Sequence, residues 1–337
     1  MTQAELRVGP ISLSGRALLA PMAGVTDAAM RGVALRHGAS AAVGEMIAAA
    51  GVARGDRETR LRLAGTLAAE GPNVVQIAAR DPEGARLAAH AAVEAGADWI
   101  DVNMGCPCKR VTGGLAGSAL MRDLDLAGRL IDAVVAAAKI PVSVKMRLGW
   151  DESSRNAAEL ARRAQDAGAM LVAVHGRTRQ QFYTGAADWR AIAAVKQAVA
   201  IPVVANGDCD SPDAAAEMLR LSGADAVMIG RAALGQPWLV GDIAEFLRSG
   251  RRRASPSRAE RGEIAIRHME SLVAAMGANA GLRHARKHLA AYVDRAGLGT
   301  GGQGAALRLA LLVSTEPSQA RGLLETLFDR DDCEAAA

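Results

Sequence analysis

Four times along the chain a Gly-Ala pair closes a stretch of helical periodicity and opens a short apolar run: RHGASAAVGE, EAGADWIDVNMG, DAGAMLVAVHG and LSGADAVMIG. A glycine at that point suits the left-handed residue that ends many helices. A short apolar run after it, with no alternation, suits a strand buried on both faces. Three more runs follow a proline or a turn, in GPNVVQIA, KIPVSVKMR and AIPVVANGD, and SGRALLAPMAG supplies the first, which makes eight. Between them lie helical patterns at Asp27–His37, Arg54–Ala69, Pro82–Ala95, Leu124–Ala138, Ser154–Ala167, Ala187–Ala198 and Pro212–Leu221, with another beginning near Pro237. Buried strands alternating with helices are parallel βαβ units. Eight of them in about 240 residues predict an α/β protein of the (β/α)₈ TIM-barrel type. An open doubly wound sheet is the alternative, and the eightfold count disfavours it.

The pattern stops near RSGRRRASPSR (Arg248–Arg258), which reads as a polar linker. Beyond it EIAIRHMESLVAAM, RHARKHLAAYVDRA and ALRLALLVS are helix-like, so the expected organisation is a barrel over residues 1–244 and a small all-α domain over 245–337. GTGGQG (Gly299–Gly304) matches a dinucleotide fingerprint in letters only; no strand precedes it, and it reads as a loop. Arg248–Arg308 carries 12 Lys/Arg against 4 Asp/Glu, or +8, and Leu309–Ala337 carries 2 against 6, or −4, in a chain of net +4. The basic excess therefore sits in one segment, as expected for a nucleic-acid partner or for a solvated arginine-rich helical face. Aromatics at 3% argue against a base-stacking platform. No apolar run reaches the ~18 residues that cross a bilayer. The first residues, MTQAELRVGP, show no signal peptide, and four cysteines make no disulfide framework, so a reducing cytoplasm and no membrane partner are expected.

In a barrel the chemistry belongs at the C-terminal ends of the strands. Those ends are Pro21-Met22-Ala23, Glu45, Gln76, Asn103 to Cys106, Lys145 with Arg147, His175 with Arg177, Asn206-Gly207-Asp208 and Gly230-Arg231. Asp208 reads equally as a cap for the helix that follows. ANGD and MIGRA end strands seven and eight, where barrels often bind phosphate through backbone N–H groups, and Arg231 adds a bidentate cation. Lys145 closes an apolar strand, which suits Schiff-base chemistry or stabilisation of negative charge on a cofactor ring. NMGCPCKRVTGG (Asn103–Gly114) lacks the ligand spacing of a zinc site and the Lys-Ser/Thr of a P-loop. What remains is a thiol on the loop after strand four, or a small buried cysteine.

APMAGVTD, VVQIA, DVNMGCPCKRVTGGLAGSALM, VSVKMRLGW, VHGRTR, VVANGD, MIGRAALGQPW and RHARKHLAAY, in order over Leu18–Tyr292, resemble the tRNA-dihydrouridine synthases, most of all the bacterial DusB-type branch. The resemblance implies an FMN-bound barrel with a helical tRNA-binding domain. It also implies reduction of the C5=C6 bond of a uridine, with NADPH as reductant. Carried onto this chain it makes Cys106 the proton donor to C5. It places Pro21, Met22, Ala23, Gln76, Lys145 and His175 against the flavin ring, with Lys145 at its N1/O2 edge. Asn206, Gly207, Asp208, Gly230 and Arg231 would hold the ribityl phosphate, and Asn103 and Arg177 would touch the uracil. Arg283, Arg286 and Lys287 would meet tRNA phosphate.

Adjacent cations lower a thiol pKa, so Lys109 and Arg110 are expected to turn toward RNA phosphate rather than toward Cys106. Two departures stand out: Cys108 replaces a small residue, and Ala290-Ala291 replace the aromatic that usually precedes Tyr292. A monomer is expected. The competing readings are a small-molecule FMN barrel oxidoreductase and a non-catalytic RNA-binding or regulatory protein.

Overall fold

The computed structural model describes residues 5–63, 65 and 71–329. The end of the expected 54–69 helix and the chain beyond 329 lie outside the described residues. Eight parallel strands close into a barrel: β1 Ala17–Leu19, β2 Ala41–Val43, β3 Asn73–Ala78, β4 Trp99–Met104, β5 Val142–Arg147, β6 Leu171–His175, β7 Val203–Asn206 and β8 Ala226–Ile229. Each strand pairs with its sequence neighbours, β8 pairs with β1, and β2 meets β3 through Ala42↔Asn73 and Val43↔Val74, so no edge is left. Two short pairings were not anticipated. Ile47–Ala48 adds to the upper part of β3, and Arg7–Val8 with Ile11–Ser12 forms an antiparallel ribbon.

Side chains at every second position of the strands point inward. At the N-terminal end of the barrel the inward residues are apolar: Leu18, Ala41, Val74, Trp99, Leu171, Val204 and Ala226 share one core cluster with Leu6, Val8 and Leu13 of the N-terminal segment. Continuing in steps of two along the same strands gives Gln76, Asp101 and Asn103, Ser143 and Lys145, His175, Asn206 and Gly230. The ribbon closes the floor of the barrel, and the polar positions lie toward the other end.

The surrounding helices start where the local chemistry satisfies their first N–H groups. Asp81 accepts from Gly84 N at 2.7 Å, Asp123 from Leu126 N at 2.9 Å and Ser211 from Ala214 N at 3.2 Å, at the heads of Pro82–Glu94, Leu124–Ala138 and Pro212–Ser222. Ser211, not Asp208, is therefore the cap of the helix after β7. The Gly-Ala repeats end helices as expected: Gly96 (φ +79°) and Gly168 (φ +96°) adopt the left-handed conformation.

Several expected bounds differ. The pattern at 54–69 is not one helix, because Gly55 in the left-handed region separates Ala49–Arg54 from Arg57–Leu63. The 187–198 pattern is helical only over Ile192–Ala198, since Asp188 N donates to Gly176 O and ties that stretch to the loop after β6. The 154–167 helix runs Ala157–Asp166 after a short 3₁₀ turn.

The chain divides into two compact units, Met1–Arg231 with Leu239–Arg252, and Ala232–Trp238 with Arg253–Ala337. The expected break at 244/245 falls inside the continuous helix Leu239–Ser249, which groups with the barrel. The second unit holds Arg258–Met276, Ala278–Arg295, Gly302–Val313 and Pro317–Asp329. The first of these begins in a capping box, with Ser257 and Glu260 each bonding the other's backbone N–H. The last helix was missed in sequence, and the glycine-rich GTGGQG turns helical from Gly302.

Gly241 brings the helix Leu239–Ser249 against the end of Ala28–Arg36. A Cβ there would lie 1.9 Å from the His37 carbonyl oxygen. Gly241→Ala should cost about 1–3 kcal/mol, read as a lower urea midpoint at unchanged m. An unchanged midpoint contradicts the packing.

Candidate active site at the C-terminal ends of the strands

Cys106 sits on the loop that follows β4, and the loop is held from three sides. Asn103 Oδ1 accepts from Cys106 N at 2.9 Å and from Gly105 N at 3.2 Å. Ser118 Oγ donates to Cys106 O at 2.9 Å. Arg147, only 1% exposed, donates through Nε to Gly105 O and through Nη1 to Thr178 O and Phe182 O, each at 2.8 Å. One guanidinium thus ties the thiol loop to the loop after β6. Burial pulls the Arg147 pKa down to about 10, so it stays cationic at neutral pH.

The Cys106 thiol is half-buried, and burial pushes its pKa up. Lys109 and Arg110 are exposed, and the cations that act on the thiol are Arg147 and Lys145. The expected competition between neighbouring cations and the thiol is therefore resolved by burial, which keeps the group protonated. Cys108 is exposed. Cys209 is buried, with its pKa pushed up to about 12, an inert thiol that faces no cation.

Below the loop runs an unbroken polar chain. Asn103 Nδ2 donates to Gln76 Oε1 at 2.7 Å, and Gln76 Nε2 donates to Asp101 Oδ2 at 2.7 Å. Ser143 Oγ donates to Asp101 Oδ1 and accepts from Trp99 Nε1 at 2.8 Å. The strand register makes this possible, because Gln76, Asp101 and Ser143 stand side by side on β3, β4 and β5.

Lys145 stands beside Asn103 in the same register, and its Nζ donates to Asn206 Oδ1 at 2.9 Å. Asn206 Nδ2 donates to Met228 O at 2.8 Å, which fixes the amide with its oxygen toward the lysine. Burial and the Arg147 charge lower the Lys145 pKa, and Asp101 opposes them. His175 is held well below its usual pKa by burial and by Lys145, Arg147, Arg177 and Arg231. Arg177 Nη1 lies 3.3 Å from His175 Nε2, and a guanidinium only donates, so the neutral ring carries its proton on Nδ1.

Arg177 is 2% exposed, and all five of its N–H groups have partners: Thr184 O, Gly185 O, His175 Nε2 and both oxygens of Asp208. It braces the site and has no donor left for a uracil. Asn103 is likewise engaged with the loop and Gln76. Asp208, at φ +57°, pairs with Arg177 at 2.6 Å and Arg231 at 3.3 Å, so its carboxylate orients cations rather than facing a phosphate.

Arg231 is mostly exposed. Gly230 opens space beside it, since a Cβ there would meet nothing nearer than Ala20 and Met22 at 3.9 Å. Gly207, at φ +117°, has no such room, since a Cβ would lie 2.7 Å from Ala187 and 2.8 Å from His175. Pro21 leads from β1 into a turn over Met22–Thr26, closed by Val25 N donating to Met22 O at 2.9 Å and by Met22 N donating to Thr26 Oγ1 at 2.8 Å. An excess of cations over carboxylates, glycines at the ends of β7 and β8, and a neutral histidine fit an anionic, phosphate-bearing group.

Tyr183 was not singled out in sequence. Its ring is 49% exposed and lies 4.5 Å from the Arg231 guanidinium and 5.5 Å from that of Arg147. Its rarity, as one of two tyrosines, was the available signal. Arg283 is exposed on the helix Ala278–Arg295 of the second unit, whereas Arg286 is partly buried and donates to Ser314 O at 3.2 Å. Lys287 is partly buried, with Nζ 3.3 Å from His284 Nε2. The three cations do not share one exposed face.

Solved structures with this architecture include morphinone reductase (TM-score 0.53, 18% identity, 77% of this chain and 92% of that one). Another is 6-hydroxypseudooxynicotine amine oxidase from Pseudomonas geniculata N1 (TM-score 0.56, 14% identity, 79% of this chain). The chain spans about half, 52%, of the amine oxidase. At these identities they define the class, a TIM barrel, and nothing finer.

The family follows from sequence. The dihydrouridine synthase model matches residues 18–306. A probable tRNA-dihydrouridine synthase of Rhodobacter capsulatus is 46% identical over 311 residues, 92% of this chain and 94% of the relative. A tRNA-dihydrouridine synthase B of Xanthomonas axonopodis pv. citri is 48% identical over 289 residues, 85% of this chain and 86% of the relative. The chain belongs to the dihydrouridine synthase family, and with it to the oxidoreductases of tRNA modification. Among the described residues no helix is long and apolar enough to cross a membrane.

Because burial raises the Cys106 pKa, its protonated form should persist to higher pH than that of a free thiol, about 8.5. Alkylation of the Cys106 peptide by iodoacetamide should rise with a midpoint above that value. A midpoint below it contradicts the assignment of a buried, protonated thiol.

Proposed function

We propose that this protein is an FMN-dependent tRNA-dihydrouridine synthase that reduces the C5=C6 bond of one uridine in tRNA, with NADPH as the reductant of the flavin. The observation that carries the reading is a half-buried cysteine, clamped by Asn103, Ser118 and Arg147, beside a cationic pocket, with burial raising its thiol pKa and lowering that of His175. Bound here, a reduced flavin would supply a hydride for C6 of the uracil. Cys106 gives its proton to the electron pair left at C5, and the thiolate is reprotonated from solvent.

Lys145, steered by Asn206, would offset negative charge on the reduced ring. Pro21, Met22, Ala23, Gln76 and His175 would hold the ring. Gly207, Gly230 and Arg231, with the backbone of Asn206 and Asp208, would hold the ribityl phosphate. Asp208 and Arg177 brace that site from behind. A uracil in folded tRNA must leave its stack to reach strand ends inside a barrel. Lys109 and Arg110, exposed beside the thiol loop, take tRNA phosphate, together with Arg283 on the helical unit. The enzyme works as a cytoplasmic monomer.

Purified protein should be yellow and form dihydrouridine in unmodified tRNA with NADPH. Cys106→Ala should keep the colour and lose at least about 100-fold in rate, the usual lower worth of a general acid. A colourless protein that takes up no flavin, or a yellow one inert toward tRNA, rejects the reading. Reversing both charges, Lys109→Glu with Arg110→Glu, should weaken tRNA binding and flatten its salt dependence by about two phosphate contacts. Unchanged binding removes these residues from the interface.

A further inference from the structure

Asp101 is 2% exposed, lies inside the barrel and touches neither the thiol loop nor the strand-end residues assigned above to phosphate. We propose that it is a positioning residue, whose carboxylate orients Gln76 and Asn103 so that the loop carrying Cys106 is held in its reactive place. This rests on the reading of Cys106 as the proton donor.

The chain of bonds has a polarity. At the top, Cys106 N and Gly105 N can only donate, so Asn103 must turn its oxygen to them and its NH₂ toward Gln76. Gln76 must then present its oxygen upward and its NH₂ downward, at 2.7 Å from Asp101 Oδ2. At the bottom, Trp99 Nε1 can only donate, so Ser143 passes its own proton to Asp101 Oδ1. Donors thus arrive from both ends, and the chain closes only on a group that accepts twice. A carboxylate is such a group. Without an acceptor at 101, the buried Gln76 NH₂ loses its partner, and inverting the amides would set NH₂ against N–H at the thiol loop.

Asparagine is a revealing replacement. Its oxygen can accept from Gln76 while its NH₂ donates to Ser143 Oγ, which leaves the Ser143 proton without its acceptor at the bottom of the chain. The upper chain keeps its polarity, and what is lost is the Ser143 bond below it and the charge near Lys145. Positioning through the chain therefore predicts that Asp101→Asn behaves like wild type and Asp101→Ala does not, whereas a counter-charge role predicts that both fail alike.

The test is peptide-resolved alkylation of Cys106 by iodoacetamide between pH 6 and 10, on the full chain, with Gly241→Ala as a destabilised control outside the chain. Asp101→Ala should alkylate about tenfold faster at pH 7.5, equivalent to a midpoint about one unit lower as the loop opens to solvent. Asp101→Asn should stay within about threefold of wild type, about half of that unit. In the tRNA assay the alanine variant should lose rate at saturating tRNA with little change in KM.

If Asp101→Ala does not fold, Asp101→Leu fills the space without an acceptor and carries the same expectation. Equal alkylation of wild type and the alanine or leucine variant overturns the proposal. So does an asparagine variant as fast as the alanine one, or a Gly241→Ala control that matches it. Alkylation needs no turnover, so a wild type that makes no dihydrouridine defeats the functional reading separately.

Discussion

A closed parallel barrel gives its interior one constraint: every inward side chain must be buried against others, and a polar one must find its partner there. This chain meets it by dividing the interior along the axis. Toward the N-terminal ends, Leu18, Val74, Trp99, Leu171 and Val204 pack with Leu6 and Val8 of the N-terminal segment as ordinary core. Two or four residues further along the same strands the inward positions become Gln76, Asp101, Asn103, Ser143, Lys145, His175 and Asn206. Hydrogen bonds between neighbouring strands satisfy Gln76, Asp101, Asn103 and Ser143, because equal register sets Gln76, Asp101 and Ser143 side by side, while Lys145 reaches Asn206 two strands away. The apolar floor supplies stability and the polar upper layers supply chemistry, from one continuous set of strands.

The electrostatics follow from this burial. Lys145, Arg147, Arg177 and Arg231 all act on His175, and together with desolvation they keep it neutral. Of the four, Arg177 is matched by Asp208, which also reaches Arg231. The remainder is a positive pocket suited to a ligand that is negative in more than one place. Desolvation outweighs these charges at Cys106, so the thiol pKa rises although cations lie nearby. A protonated sulfur and a neutral histidine within one positive site are two outcomes of the same low-dielectric surroundings.

Much of this was legible in residue order. The Gly-Ala repeats and apolar runs carry strand count and topology, because a buried parallel strand and a glycine-ended helix each leave a local signature. The strand-end positions Cys106, Lys145, His175, Asn206 and Arg231 were visible as polar letters after apolar ones. Less visible were the breaks. Gly55 ends a helix that periodicity alone would continue, and Asp188 takes its backbone to Gly176 instead of to a helix. The helix Pro317–Asp329 was not recognised at all.

Roles within the site were harder to read than positions. Arg177 and Asn103 looked like substrate contacts because they are polar groups at strand ends. The folded chain shows every N–H of Arg177 engaged and Asn103 clamping the thiol loop. Asp101 and Ser143 were passed over as single polar letters inside apolar strands, and Tyr183 because nothing near it in sequence marks it. By itself the sequence determined the barrel, the helical unit and the residues available at the strand ends, since these depend on periodicity and local capping. Only the tertiary structure decided which of those residues face a ligand and which hold the others in place. A hydrogen bond between side chains 25 or 42 positions apart, as from Asp101 to Gln76 and to Ser143, exists only once the strands are in register.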